Sequence, residues 1–422
     1  MSTLRGGPGF GALLTLARHA ARASPAVLRR GGMATAIGLA ALRSPDQPVL
    51  VREHDTLTGR QLDSALRATA AAVAERFAPG SRIALRGDGG IAFVVALAAA
   101  ALAGVDAVAA GPRTGALDGV SEVDAWEVFV RPDADPPAWR GRGTGRVQLL
   151  STGTTGLPVA TARGRLGLRS MLQLADADRR LGRLPGPVLV LAPPDHGHGL
   201  SMVLAGLVRG RRVVLASGQR PAEQEEAAAR HRVRTISGVP AQLARLEDSA
   251  YERVELVVSG SSRLDTALRA RLERNGALVL DCYGSTESGT VAIDGRPLAG
   301  VTIEVDGDHR IRITSPLGGR RRDPGDVGRI EHGRLIVDGR TGELVDTGGE
   351  LISPARIESE LRALPGVATA RVWTEPDDLL GSRLCADVAV SEPALDAAAL
   401  THHLTQHLGR AAVPRTLVVT RT

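Results

Sequence analysis

A short segment rich in hydroxyl groups and glycine has the composition of an anion-binding loop. It follows an apolar run that can end a strand, and it consists of Ser151, Thr152, Gly153, Thr154, Thr155 and Gly156. Such a loop offers backbone N–H groups and hydroxyl donors to phosphate oxygens. It contains no cation, and Val159 stands where a phosphate-binding loop commonly has a lysine. The spacing does not match G-x-x-x-x-G-K-S/T, so on its own the segment is more typical of an ordinary turn.

Further polar motifs containing glycine follow this loop. They read Pro-Pro-Asp-His-Gly-His-Gly-Leu (residues 193–200), Ser-Gly-Ser-Ser (259–262), Tyr-Gly-Ser-Thr-Glu (283–287), Pro-Gly-Asp (324–326), Gly-Arg (339–340) and Gly-Gly-Glu-Leu-Ile-Ser-Pro (348–354). Taken singly, a histidine such as His196 in a glycine-rich loop is most often a plain loop residue. Glu287 alone would be an ordinary surface acid, and His198 has a weaker case than His196. The order of the motifs is more informative than any one of them.

The basic residues are numerous but all of one type. The formal net charge is +6, and every one of the 52 Lys+Arg positions is arginine. Arginine stays protonated and binds oxyanions, but it cannot serve as a tunable amine, which excludes a lysine nucleophile or Schiff base. The arginines are spread along the chain, and aromatic residues make up only 2% of it. Both features argue against a nucleic-acid partner, which would need a basic patch or exposed aromatic rings.

Cysteine usage and apolar content indicate a reduced, cytoplasmic setting. Cys282 and Cys385 lie far apart and form no metal-ligand spacing. The longest apolar run, residues 91–103, is too short to cross a bilayer and predicts a buried helix. The first residues faintly resemble a signal peptide, but Arg18 and Arg22 interrupt the apolar region and favour an amphipathic helix. Such a helix would contact a membrane at most peripherally, and packing on the protein body is the simpler interpretation.

Strand-like and helix-like segments alternate through the middle of the chain. Strands are predicted at residues 82–85, 188–191, 213–215, 255–258 and 277–280, and helices at 91–103, 201–208, 221–230 and 264–275. This alternation predicts α/β units with largely parallel sheets. In such sheets, ligands bind at the loops that follow the strand ends.

The pattern changes after about residue 300. Short alternating runs separated by Asp-Gly, Pro-Gly and His-Gly pairs predict antiparallel β structure. Ser353 and Pro354 then form the N-cap and first position of a helix with one apolar face, composed of Ile357, Leu361 and Leu364. A small α+β unit is expected at the end of the chain.

Taken in order, the motifs resemble those of the adenylate-forming superfamily, which includes acyl-CoA synthetases, acyl-AMP ligases, peptide-synthetase adenylation domains and luciferases. The resemblance is strongest to bacterial fatty-acyl-CoA synthetases, and it runs from about residue 44 to the last residues. It implies a large N-terminal adenylate-forming domain (residues 1–340, with a helical segment at 1–43) built from mainly parallel sheets plus a β subdomain. A small, mobile α+β domain (residues 341–422) follows.

The resemblance implies a reaction in two steps and a set of site residues. A carboxylic acid, expected to be fatty or otherwise apolar, reacts with Mg-ATP to give acyl-AMP and pyrophosphate, and CoA or a carrier-protein thiol then takes the acyl group. Thr286 is expected to donate to the α-phosphate, Glu287 to bind Mg²⁺, and His196 to lie beside the reacting carboxylate. The residues expected to bind the nucleotide or CoA are Ser151, Thr152, Gly153, Thr154, Thr155, Gly156, Gly260, Ser261, Tyr283, Gly284, Ser285, Asp326, Arg340, Gly348 and Gly349.

These nucleotide contacts divide by moiety. The loop at 151–156 corresponds to the part of the family that surrounds the β and γ phosphates. Gly260 and Ser261 would let adenine approach the backbone, with Tyr283 stacking on it. Asp326 and Arg340 would contact the ribose, and residues 348–349 would line the channel for the pantetheine arm. Residues 339–343 resemble the junction about which the small domain rotates in the family, with Gly-Glu where an aspartate or lysine is usual.

Two departures from the family pattern bear on catalysis. Val159 replaces one usual lysine, and the sequence ends before the family's final lysine, which bridges the carboxylate and the α-phosphate. Loss of one such donor costs about 10²–10³ in rate. Three interpretations remain open: a slow ligase, or one completed by Arg163, Arg415 or Arg421; a relative that binds nucleotide without catalysis; and an enzyme of the thioester half-reaction alone.

Overall fold

The computed structural model describes residues 2–7, 11–15, 25–112, 114–115, 117, 119–139, 143–152, 158–162, 167–264, 266–307, 309–340, 345–347, 350–352, 354–362, 364–377 and 381–421. Its strands are β1 (Ser2–Arg5), β2 (Pro48–Arg52), β3 (Asp55–Thr58), β4 (Arg82–Arg86), β5 (Asp106–Ala110), β6 (Ser121–Asp124), β7 (Val147–Thr152), β8 (Pro158–Ala162), β9 (Val188–Val190), β10 (Val213–Leu215), β11 (Thr235–Gly238), β12 (Leu256–Gly260), β13 (Leu278–Ser285), β14 (Gly289–Ile293), β15 (Arg296–Pro297), β16 (Thr302–Val305), β17 (Ile311–Ser315), β18 (Gly319–Arg322), β19 (Asp326–Glu331), β20 (Arg334–Arg340), β21 (Val345–Thr347), β22 (Glu350–Ile352), β23 (Val367–Asp377), β24 (Gly381–Val390) and β25 (Thr416–Arg421).

The helices, in chain order, are α1 (Pro25–Leu28), α2 (Gly32–Arg43), α3 (Gly59–Arg76), α4 (Ile91–Ala103), α5 (Ala125–Val128), α6 (Leu168–Arg180), α7 (Gly197–Val208), α8 (Pro221–Arg230), α9 (Pro240–Arg245), α10 (Thr266–Glu273), α11 (Pro354–Arg362) and α12 (Ala397–Leu408). Short 3₁₀ helices span Asp248–Tyr251 and Arg410–Ala412.

The largest sheet has the strand order β15-β14-β13-β12-β11-β9-β10-β2-β3. Strands β13 to β2 run parallel, and the strands at both edges pair antiparallel. β9 and β10 are runs of Val and Leu that are buried throughout. This composition is expected where helices cover both faces of a parallel sheet, and the predicted α/β fold with mainly parallel sheets is confirmed.

A second sheet, in the order β6-β4-β5-β7-β8, is parallel except for β8. The predicted helix at residues 91–103 is α4, which is buried over nearly its whole length. It ends at Gly104, whose φ of 86° lies in the left-handed region that glycine adopts without strain. No helix in the described part of the chain combines the length and apolar character needed to cross a bilayer.

Antiparallel structure follows the parallel sheets, as the turn pairs predict. A four-stranded sheet has the order β1-β16-β17-β18, and β19 pairs with β20. β1 lies antiparallel to β16, with Ser2 opposite Val305. The prediction of a helical segment over residues 1–43 is therefore wrong for Ser2–Arg5, because the pairing depends on a strand far along the chain that local pattern does not reveal. Helices α1 and α2 lie in the rest of this segment.

The C-terminal elements have a hydrophobic core of their own. β23, β24 and β25 form a sheet, and its core includes Ile357 and Leu361 of α11 and Leu400 and Leu404 of α12. The small α+β unit expected at the end of the chain is present. We propose that this unit is the domain beginning near residue 341; the junction at residues 341–344 lies outside the described residues.

Candidate active site

Several predicted site residues lie at or just beyond the carboxyl ends of the parallel strands. They are His196, Gly260, Ser261, Tyr283, Gly284 and Ser285. β12 ends at Gly260, opposite Cys282 on its parallel neighbour β13. Ser261 has a φ of 70°, a backbone conformation that non-glycine residues rarely adopt and that is often found at ligand sites. In open α/β sheets, ligands bind in the crevice outside the carboxyl ends of the strands.

His198 is buried near the carboxyl end of β12 and packs against the backbone of that strand. Its Nε2 lies 2.9 Å from Ser237 Oγ, and the side chain also hydrogen-bonds the backbone of Val258. A Cβ added at Gly260 would lie 2.5 Å from His198 Nδ1, so glycine is required for the ring to fit. Burial lowers the pKa of His198 to about 4. His198 is therefore a neutral residue that positions the end of β12.

Acidification is expected to destabilise the protein through His198. The folded-state pKa is about 4 and the reference value is 6.5, so the unfolded chain binds the proton more tightly. The stability due to this shift is complete above about pH 6.5 and is lost as the pH falls toward 4, a change of ~3 kcal/mol. Denaturant unfolding of the His198→Gln variant should show a pH dependence that is shallower by about this amount.

The matched control for this experiment is His402→Gln, because His402 is an exposed histidine on α12. That variant should keep the parent's pH dependence of unfolding free energy. A His198→Gln variant with the same pH dependence as the parent would contradict the assignment.

His196 occupies the N-cap position of α7 and keeps 38% of its side chain exposed. The neighbouring Asp195 carboxylate is 11% exposed, and its Oδ2 lies 3.8 Å from His196 Nε2. Asp195 Oδ1 is buried and has no hydrogen-bond partner among the described residues. A Cβ at Gly111 would lie 1.9 Å from Asp195 Oδ2, so the end of β5 must be glycine to admit this carboxylate. The pair presents an accessible imidazole beside a mostly buried carboxyl group.

Tyr283 and Asp326 are joined by a direct hydrogen bond. The Tyr283 hydroxyl donates to Asp326 Oδ2 over 2.7 Å, and Asp326 is only 4% exposed. Asp326 begins β19 and lies opposite Arg340 at the end of β20. The residues expected at adenine and at the ribose therefore lie next to one another, although they come from different sheets.

Thr286 and Glu287 lie in the turn between β13 and β14, which other side chains hold in place. Ser285 Oγ lies 2.9 Å from Ser288 Oγ and accepts from the Ser288 N–H over 3.2 Å. Gln173 of α6 donates to the carbonyl oxygens of Ser288 (3.1 Å) and Thr290 (2.8 Å). Glu287 is half-buried, and its carboxylate has no hydrogen bond or ion pair to any residue that the structure describes. Hydrogen bonds from Gln173, Ser285 and Ser288 hold the backbone of the turn, and the Glu287 carboxylate remains free to bind a ligand.

The predicted phosphate loop connects two paired strands. β7 and β8 form an antiparallel hairpin in which Ser151 lies opposite Val159 and Thr152 opposite Pro158. Gly153, Thr154, Thr155 and Gly156 lie outside the described residues, as do Gly348 and Gly349. Their assignments stay predictions.

The structure adds residues that the sequence motifs did not single out. Gln173 is fully buried on α6, a helix that begins shortly after the β7–β8 hairpin, and Ser288 lies one residue beyond the Tyr-Gly-Ser-Thr-Glu motif. A buried glutamine leaves no local signature, because its partners are backbone carbonyls of another element. Asp195 lies in the motif at residues 193–200, and an acidic residue next to His196 is a signal that could have identified it as a site residue.

Comparison with known proteins agrees with this geometry. Residues 137–352 match the family model of the AMP-binding enzyme, and residues 356–422 match the AMP-binding enzyme C-terminal domain. A probable 2-succinylbenzoate–CoA ligase of Mycobacterium tuberculosis is 31% identical over 304 residues, 64% of this chain and 78% of that protein. A salicylyl-CoA synthase / salicylate adenylyltransferase of Streptomyces is 28% identical, over 63% of this chain and 58% of that protein.

The solved structures show the same fold. The o-succinylbenzoate CoA synthetase of Bacillus subtilis, solved as a double mutant with a product analogue, superposes with a TM-score of 0.76. The sequences are 21% identical, and the superposition covers 91% of this chain and 94% of that one. The chain therefore belongs to the AMP-binding enzyme family, within the adenylate-forming superfamily of AMP-forming CoA ligases.

Proposed function

We propose that the protein activates an aromatic carboxylic acid with ATP and transfers the acyl group to CoA. The proposal is supported mainly by the placement of its residues: His196 follows the parallel strand β9, Tyr283 near the end of β13 donates to Asp326, and the Glu287 turn directly follows β13. The family relationship supports ATP-dependent activation of an acid and transfer to CoA.

The acid class is inferred from the relatives. The sequence resemblance implied a fatty or other apolar acid. The relatives from Mycobacterium tuberculosis and Streptomyces carry names that specify 2-succinylbenzoate and salicylate, both of which are aryl acids. These names favour an aryl acid over a fatty acid for this chain.

The proposed roles follow from the environment of each residue. Asp326 is buried and accepts from Tyr283, which suits a carboxylate that orients a ribose hydroxyl beside the adenine ring. His196 is accessible at the start of α7 and would orient the acid. Thr286, in a turn held by Ser285 and Ser288, would donate to the α-phosphate.

Glu287 fits the Mg²⁺ that accompanies ATP. Its carboxylate is half-buried and has no partner among the described residues, and a hard dication prefers such an oxygen. Bound Mg²⁺ would offset the charge of the phosphates. The Ser285–Ser288 and Gln173 hydrogen bonds would hold the turn that carries this carboxylate.

The proposed reaction has two steps, adenylation of the acid and transfer of the acyl group to CoA. A carboxylate oxygen of the acid forms a bond to the α-phosphorus, and the bond to the β-phosphate oxygen breaks to release pyrophosphate. The CoA sulfur then bonds to the acyl carbon, the thiol proton is released, and the carbon–oxygen bond to AMP breaks. The second acceptor considered from the sequence, a carrier-protein thiol, would react in the same way.

The test is ATP–pyrophosphate exchange with a panel of acids. 2-Succinylbenzoate, salicylate and benzoate should stimulate exchange more than hexanoate or palmitate, and CoA should then convert the best acid to a thioester. Stimulation by the fatty acids alone would overturn the aryl assignment.

A second candidate is favoured by Val159, which stands where the family pattern has a lysine. If no acid supports exchange while AMP binds, adenylation is absent. Consumption of a supplied aryl-AMP by CoA would then leave the thioester half-reaction as the function.

A further inference from the structure

Two histidines and a glutamate converge on the small C-terminal unit. His403 and His407 lie one turn apart on α12, and Glu360 lies on α11. One potential ligand atom from each of the three side chains lies within 4.8 Å of the others. Among the described residues, no other group of three His, Cys, Asp or Glu side chains meets in this way.

The distances within this group suit a small cation. Glu360 Oε1 lies 2.8 Å from His403 Nε2 and 3.7 Å from His407 Nδ1. Around a tetrahedral Zn²⁺ with bonds near 2.0–2.1 Å, ligand atoms are about 3.3 Å apart. The two separations that involve Glu360 lie on either side of that value, and all three atoms lie within 4.8 Å of one another.

The two helices that carry the ligands are held by a common core. Leu361 follows Glu360, Leu404 follows His403, and both leucines are fully buried in the C-terminal cluster. Asp396 accepts from the Ala399 N–H and fixes the start of α12. The spacing of the ligand-bearing backbone is therefore set by packing and does not depend on the cation.

The imidazole rings lie side by side next to the same carboxylate. The His403 and His407 rings stack with centroids 4.2 Å apart, and each has a nitrogen near Glu360 Oε1. One divalent ion can take a lone pair from each ring and from the carboxylate.

We propose that Glu360, His403 and His407 form a Zn²⁺ site with two imidazole ligands and one carboxylate ligand. Imidazole and carboxylate together select a borderline transition-metal dication. The His407 side chain is 58% exposed, which leaves a coordination position open to solvent. The site is separate from Glu287 and from the proposed Mg²⁺.

The site lies close to a loop of the large domain. A Cβ at Gly115, in the segment after β5, would lie 2.8 Å from the His407 carbonyl oxygen. Zn²⁺ bound to His407 would therefore restrict the motion of the end of α12, which contacts this loop.

Calorimetric titration of the chelator-treated, full-length protein with Zn²⁺ tests the proposal. The parent should bind one Zn²⁺ per chain saturably. Glu360→Gln, His403→Gln and His407→Gln should each weaken the affinity about 10-fold or more, since direct ligands matter at least as much as the residues that orient them. His402→Gln removes an exposed histidine beside His403 and should retain the parent's affinity.

Thermal unfolding of each variant with and without Zn²⁺ separates a metal site from a helix-to-helix hydrogen bond. A metal site predicts that Zn²⁺ raises the Tm of the parent and of His402→Gln but not that of the ligand variants. The absence of saturable Zn²⁺ binding to the parent, or equal affinity in the parent and His403→Gln, would overturn the proposal. Ligand variants that lose stability but keep the parent's Zn²⁺ affinity would show that the contact is structural only.

Discussion

Replacing Glu287 by glutamine is expected to lower acid-dependent ATP–pyrophosphate exchange by ~10²–10³-fold. The amide removes the charge that is proposed to bind Mg²⁺ and leaves the size of the side chain unchanged. No described residue forms a hydrogen bond or ion pair with the Glu287 carboxylate, so folding should be little affected. The expected change in unfolding free energy is within about 0.5 kcal/mol. Exchange rates over a range of Mg²⁺ concentrations, with the variant's Tm, measure both effects.

Glu252→Gln is the control for this variant because Glu252 is exposed and lies outside the site. It should retain the parent's exchange rate. A Glu287→Gln variant with a rate close to the parent's would remove Glu287 from the proposed metal site.

Replacing Asp326 by alanine is expected to weaken AMP binding by about 10–100-fold, the size of a charge-assisted hydrogen bond. Asp326 is buried and accepts from the Tyr283 hydroxyl, so the loss combines a missing ribose contact with a displaced ring. Calorimetric titration with AMP measures the affinity directly and does not require catalysis.

If Asp326→Ala does not fold, Tyr283→Phe tests the same contact with a milder change. It removes the 2.7 Å hydrogen bond to Asp326 while keeping the ring, and should weaken AMP binding by about fivefold, equivalent to ~1 kcal/mol. Asp387→Asn, at an exposed position on β24, is the control and should bind AMP as the parent does. Unchanged AMP affinity in both Asp326→Ala and Tyr283→Phe would place the nucleotide elsewhere.

The sequence predicted the elements whose signal is local. The Val/Leu strand at 213–215 and the apolar helix at 91–103 were identified because an uninterrupted apolar run is a property of the segment itself. β1 was not identified, since Ser2–Arg5 becomes a strand through pairing with β16. The alternation of strand-like and helix-like segments predicted the α/β fold, because each parallel strand needs a crossover connection before the next.

The sequence predicted less about contacts within the site. Tyr283 and Asp326 were both noted, but their hydrogen bond joins two sheets and has no counterpart in the motif spacing. The motif alone does not distinguish a structural role of His198 from a ligand-binding one. Its burial and its contacts with Ser237 and Val258 indicate the structural role. His403 and His407 lie four residues apart, but Glu360 lies 43 residues before His403, so the sequence alone does not bring the three together.

Helix α6 has a thermodynamic consequence for the proposed enzyme. It begins just after the β7–β8 hairpin, and its Gln173 also accepts from the Leu317 N–H while holding the turn that carries Glu287. Helix α6 therefore lies in sequence between the proposed triphosphate loop and the turn that carries the proposed Mg²⁺ carboxylate. If a cation at Glu287 changes the affinity for triphosphate, linkage requires that triphosphate change the affinity for the cation by the same factor.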